Sequence, residues 1–183
     1  MERYPASGAV IITGAAQGID RRMALTLVAE GVDVCIADWN EEKGNSVATE
    51  PTPGKGRRIF VKTDVADEAS CATVVAKTVE AFGGAFGLVN NASIFSTLTM
   101  RPFWEVPSDE WDRVQKVNLT GVFNRTRAAR EPLVASGCGS IVTFRRRRSC
   151  SAARITRTTC RRRPASWDFL ARWRGSSAPM EYA

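Results

Sequence analysis

The chain contains no histidine. That removes Ser-His-Asp hydrolase chemistry and the commonest metal ligand. It has no run of about 18 apolar residues, so no membrane-spanning helix is expected. Its five cysteines, Cys35, Cys71, Cys138, Cys150 and Cys160, are odd in number and scattered. They form neither a disulfide framework nor a zinc pattern. The N-terminus, MERYPASGAVIITG, has no basic segment leading into a signal-type apolar run and a small-residue cleavage site. Together these absences predict an intracellular, cytoplasmic protein with no bound metal. Two further shortages bear on chemistry. No lysine follows Lys116, and the only tyrosine after Tyr4 is Tyr182.

The 183 residues leave room for about one domain, and 44% hydrophobic content is enough to build a core. The formal charge of +7 is not spread evenly. Residues 145–183 hold 11 arginines, no lysine and two acids, whereas residues 1–144 hold 15 basic and 17 acidic residues. The composition changes abruptly after Phe144, which predicts two parts: a body over 1–144 and an Arg-rich tail over 145–183.

The body alternates strand and helix signals. Ala9–Gly14 is an apolar, β-branched run ending in glycine and reads as a buried strand. Gln17–Gly31 follows, with Ile19, Met23, Leu25, Leu27 and Val28 spaced for a helix that Gly31 closes. Residues 32–38 read as a second strand, 41–50 as a weaker helix, and 51–56 as a turn. Residues 57–65 read as a third strand, 67–84 as a helix stopped at Gly83–Gly84, and 86–93 as a fourth strand. Ser108 is placed as an N-cap of a helical run to Ser136, and 139–144 as a fifth, buried strand. The order predicts an α/β fold, a parallel sheet with helices on both faces. The connection from Phe95 to Pro107 is expected to cross a ligand cleft.

Two features in the body point to a phosphate-bearing ligand. The stretch TGAAQGID (Thr13–Asp20) joins the first strand to the first helix. Glycines there let the backbone approach a pyrophosphate, and the helix start offers free N–H groups. Alone, the same glycines also fit a plain tight turn. Asp38 ends the second strand 20 residues after Gly18, where a carboxylate can accept from the ribose hydroxyls of NAD. Its charge repels a 2′-phosphate, so NAD is expected over NADP. The alternative is a simple turn aspartate.

With these pieces the chain resembles the short-chain dehydrogenase/reductase family. The matching segments are TGAAQGI, Asp38, Asp64–Val65, Asn90–Ser93, Asn118 within VNLTG, and GSIV before the tail, in family order from Gly8 to Phe144. The resemblance implies a three-layer Rossmann-type fold, truncated here after its fifth strand. It implies hydride transfer between a nicotinamide and a small-molecule alcohol or ketone. It also implies that Gly14, Gln17, Gly18 and Ile19 line the phosphate and ribose region, that Asp64 and Val65 meet the adenine, and that Asn91 and Ala92 lie along the cofactor. Asn118 resembles the family's catalytic asparagine, which holds a water in the proton relay; otherwise it is a helix residue bonded to backbone. Homo-oligomers are typical of the family, but one of the helices commonly used for pairing is missing here. Two departures stand out. Asp20 occupies the place of the third glycine, and is expected to oppose a pyrophosphate unless it turns outward. Ser93 occupies the place of a glycine in Asn-Asn-Ala-Gly.

The family's serine after the fifth strand and its Tyr-x-x-x-Lys are absent as written. Tyrosine there is the general acid/base, and lysine lowers its pKa from one turn away. Read one base out of register, however, codon degeneracy permits residues 149–183 to encode a Tyr-x-x-x-Lys on a long amphipathic helix, and Arg145–Arg148 to encode serines. Trp167–Asp168 and Met180–Glu181 each force a glycine in that reading. The opposite slip permits no tyrosine across Thr156–Arg163. The tail is therefore read as out-of-frame sequence on an inactive or nearly inactive chain, its fifth strand left as an aggregation-prone edge. Two other readings remain: a nucleic-acid binder using arginines with Trp167 and Trp173, and a pseudoenzyme that binds NAD without turnover.

Overall fold

A computed structural model describes residues 5, 7–95, 97–99 and 101–144. The Arg-rich tail over 145–183, with its out-of-frame and nucleic-acid readings, lies outside the described residues. Five strands form one sheet: β1 (Ala9–Thr13), β2 (Asp33–Asp38), β3 (Arg58–Lys62), β4 (Ala85–Asn90) and β5 (Ser140–Thr143). All pairings are parallel, and the order is β3-β2-β1-β4-β5. Helices α1 (Gly18–Ala29), α2 (Glu41–Thr49), α3 (Glu68–Phe82), α4 (Ser108–Gln115) and α5 (Gly121–Ala135) connect them. This is the expected α/β architecture. No helix among the described residues is long and apolar enough to cross a membrane.

Parallel strands covered on both faces need apolar side chains at successive positions. β1 meets that demand, with all five residues buried. Its Ile11 joins Cys35, Val61 and Leu88 under α3 and α5, where Val74, Val75, Ala129 and Leu133 close one layer. Its Val10 and Ile12 join Val34, Ile36 and Val89 on the other face, under Ala24 and Val28 of α1 and Val47 of α2. Each fully buried isoleucine or leucine contributes roughly 1.5–3 kcal/mol relative to exposure. Helix α2 has little intrinsic helical strength. It forms because Gly44 lets it lie against Phe60, where an added Cβ would sit 2.0 Å from the ring.

Ile19, one of the apolar residues spaced for α1 and expected by resemblance to line the cofactor region, is 77% exposed, and the buried side chains of that helix are Asp20, Ala24 and Val28. The true inner stripe follows spacing i, i+4, i+8 and begins on an acid, which hydrophobicity counting passes over. The fifth strand, read from its apolar run as buried and from the tail as an edge, is half-exposed, with Val142 at 44%; among the described residues β4 is its one neighbour in the sheet. Ser108 lies inside α4; Pro107 holds the N-cap position. The helical run beyond it is continuous but changes character. Between α4 and α5, Lys116–Thr120 forms a π-helical turn.

Candidate functional site

The strand order reverses between β1 and β4. From β1 the chain builds outward through β2 and β3, and it then returns to the other side with β4 and β5. In such sheets ligands bind outside the carboxyl ends of the strands at this reversal. The residues there are Thr13–Asp20 after β1, Asp38 at the end of β2, and Asn90–Ile94 after β4.

Thr13 ties the two sides of the reversal together. Its buried hydroxyl donates to the Val89 carbonyl at 3.0 Å and accepts from the N–H groups of Asn91 and Ala92, both at 3.2 Å. Gly14 then turns the chain at φ 80°. An added Cβ at that position would stand 3.1 Å from the Ala92 Cα, so only glycine permits this approach of the two loops. The Gly14 N–H donates to the Ala37 carbonyl at 2.8 Å. Gly18, at φ 64°, opens α1. Asn40 and Asp67 cap α2 and α3 through their side chains, but α1 has no side-chain cap at Gln17. The amides of Gly18 and Ile19 at its start are therefore left for another acceptor.

Asp38 folds the turn around itself. Its Oδ2 accepts from the Ala16 N–H and its Oδ1 from the Asn40 N–H, each at 2.9 Å. It is thus a turn aspartate in the local sense. Each carboxylate oxygen still has a lone pair for a hydroxyl donor. The Gln17 side chain accepts from Lys43 Nζ at 2.9 Å, and Ile19 stands in solvent. At the end of β3, Asp64 holds the Ala66 N–H at 2.9 Å, and Val65 is buried against Gly121 at the start of α5.

Asn118 lies in the π-helical turn, a distortion common at functional positions. Its side chain grips the loop after β4 twice: Oδ1 accepts from the Ile94 N–H at 2.7 Å, and Nδ2 donates to the Ile94 carbonyl at 3.0 Å. Among the described residues, one amide N–H and further acceptor capacity have no partner.

Asp20 turns inward rather than outward. It is 7% exposed, and its Oδ2 accepts from Asn91 Nδ2. Its Oδ1 is buried with no partner. Burial pushes its pKa up, the Asp38 charge adds to that, and the Asn91 bond and its own backbone bond oppose it. Elsewhere, burial raises the thiols of Cys35 and Cys71 to about 11, so neither is a nucleophile at neutral pH. No group of three His, Cys, Asp or Glu side chains among the described residues can hold a metal ion.

The structure therefore gathers Gly14, Asp38, Asn91 and Ala92 at the reversal. Asn118 braces the neighbouring loop, Gln17 leans to α2, Asp64 is held at Ser70 of α3 and Val65 lies against Gly121 of α5. Three participants escaped the sequence reading. Thr13 carried a visible signal, a hydroxyl at the end of an apolar strand. The Ala16 amide and the π-helical turn carried none.

Comparison with known proteins places these features. Residues 8–145 match the family described as short chain dehydrogenase. An uncharacterised oxidoreductase from Thermotoga maritima is 40% identical over 135 residues, 73% of this chain and 51% of the relative. A 3α-(or 20β)-hydroxysteroid dehydrogenase from Mycobacterium tuberculosis is 36% identical over 134 residues, covering 73% of this chain and 49% of the relative. The crystal structure of a 3-ketoacyl-ACP reductase from Sinorhizobium meliloti superposes with a TM-score of 0.69 at 33% identity, covering 74% of this chain and 52% of that one. The chain spans about half the length of the curated relatives it matches.

Proposed function

The chain belongs to the short-chain dehydrogenase family, and from that membership we propose that it holds NAD in preference to NADP while turning over little or no substrate. The family is one of oxidoreductases with an NAD(P)-binding fold. The observation that carries the reading is the conjunction at the sheet reversal: a glycine turn with uncapped helix amides beside a strand-end carboxylate.

The residues present suit a dinucleotide. The amides of Gly18 and Ile19 open an uncapped helix toward a pyrophosphate. Asp38 offers its remaining lone pairs to the adenosine ribose and disfavours a 2′-phosphate by charge. Asp64 and Val65 flank the adenine end, and Asn91 and Ala92 line the path toward the nicotinamide. A bound nicotinamide would give up or accept the hydride of a ketone–alcohol interconversion. Asn118 acts as a positioning residue that fixes the loop after β4 through Ile94 and keeps an amide N–H for a water.

No residue of the 183 supplies the tyrosine–lysine pair on one helical turn. Loss of a general acid/base alone lowers rates by roughly 10²–10⁴-fold. The out-of-frame reading of the tail accounts for that loss in a chain whose body keeps the family pattern. Titration with NADH and NADPH, followed by a ketone panel on the same sample, tests the proposal. The expected result is saturable binding, tighter for NADH, without measurable consumption. Turnover at rates ordinary for the family, or tighter NADPH binding, overturns it.

A further inference from the structure

Asp20 stands where the phosphate-binding turn has least room for it. It is the third residue of α1, and its side chain points inward under Gly14. A Cβ on Gly14 would lie 3.5 Å from Asp20 Oδ2. One carboxyl oxygen holds the Asn91 amide and the other is buried without a partner. An unpartnered, desolvated carboxylate oxygen is costly, and a proton removes most of that cost.

The other charges at this end of the sheet give no relief. Asp38 on β2 is the charge that acts on Asp20, and it is of the same sign. Lys43 of α2 is drawn to Gln17, and Lys62 of β3 to Glu41. Arg21, next on α1, is held by Glu50. Across the turn, β4 presents the neutral Asn91. Ionising Asp20 thus places a second uncompensated negative charge beside the amides offered to a pyrophosphate.

Resting on the dinucleotide reading above, we propose that Asp20 sets the affinity of this turn and makes it pH-dependent. With Asp20 neutral, the turn accepts a pyrophosphate, and Asn91 is free to exchange partners. With Asp20 ionised, the carboxylate repels the phosphates and holds Asn91 as a charge-assisted acceptor. Burial, together with the Asp38 charge, raises the ionisation of Asp20 above its ordinary value, so affinity falls as pH rises through it.

Calorimetric titration with NAD, from pH 5 to pH 8, distinguishes the cases without reference to activity. The chain as it stands is expected to lose at least tenfold in affinity across that range. Asp20→Asn keeps the size and the Asn91 contact but carries no charge; it should bind with a flat pH profile and at least tenfold more tightly than the parent at pH 8. Asp20→Gly, which also removes the side chain, should share the flat profile. A flat profile in the parent, or the parent's slope retained in both variants, overturns the role of Asp20 and leaves the dinucleotide site intact. Absence of saturable binding in all three chains at every pH overturns the dinucleotide reading itself, and this proposal with it.

Discussion

Replacing Arg125 with methionine should stabilise the protein. Arg125 lies on α5 facing the sheet and is 2% exposed. Its Nε donates to Asn90 Oδ1 at 2.8 Å, but both terminal nitrogens are buried with no partner. Burial pulls its pKa down to about 10. At ~1.4 kcal/mol per pH unit, that corresponds to a cost of about 3 kcal/mol for holding the cation inside. The unfolded chain binds this proton more tightly, so the cost is full at neutral pH and is relieved only as pH rises through about 10. Methionine is similar in volume and carries no charge, at a loss of roughly 1–3 kcal/mol because the buried Asn90 Oδ1 is left without its donor. The net gain is at most about 2 kcal/mol, or up to roughly 4–8 °C for a chain of this size. Urea and thermal unfolding at pH 7 read it directly. A fall in the midpoint with Arg125→Met would refute the reasoning, because the buried cation would then cost less than its bond to Asn90 contributes.

Other expectations follow from single contacts. Gly44→Ala forces a methyl into the Phe60 ring and should cost about 1–3 kcal/mol in urea unfolding, although alanine is the better helix former. Asn118→Ala removes both bonds to Ile94 and should lower stability by about 1–2 kcal/mol; amide exchange should quicken in the loop after β4 more than in the sheet. Asp38→Ala frees the Ala16 and Asn40 amides, so NADH should bind roughly tenfold more weakly and its advantage over NADPH should shrink in parallel titrations. Translating the alternative frame from codons 143–146 onward should yield NADH-dependent ketone reduction, measured at 340 nm; an inactive product would count against the out-of-frame account of the tail.

Much of this architecture was legible because parallel strands announce themselves. Val10–Ile12 and Val34–Ile36 are apolar at consecutive positions, and each is followed by a turn and a helical span. The glycine turn and Asp38 were legible through spacing, since close backbone approach and a strand-end carboxylate leave few residue types to choose from. Asp20 was noticed as a departure, but the direction of its side chain depends on the loop after β4, 71 residues away. The apolar spacing of Ile19 with Met23 marked the helix but not its inner face, which runs through Asp20, Ala24 and Val28. Arg125 gave no warning, for an arginine on a helix ordinarily lies on the wet face. The double grip of Asn118 on Ile94 joins two distant segments through backbone atoms, which leave no trace in residue identity. The apolar run of β5 read as buried, while the tail after Phe144 pointed to an edge; among the described residues it stands beside β4 at the end of the strand order and is half-exposed.

Amide chemical-shift mapping during titration with NADH at pH 6 tests most directly the reading that the sheet reversal between β1 and β4 holds a dinucleotide. Saturable shifts should centre on Gly14–Ile19, Asp38 and Asn91–Ala92, with weaker ones at Asp64–Val65. Shifts that cluster elsewhere, or a spectrum that stays unchanged even for Asp20→Gly, would contradict it.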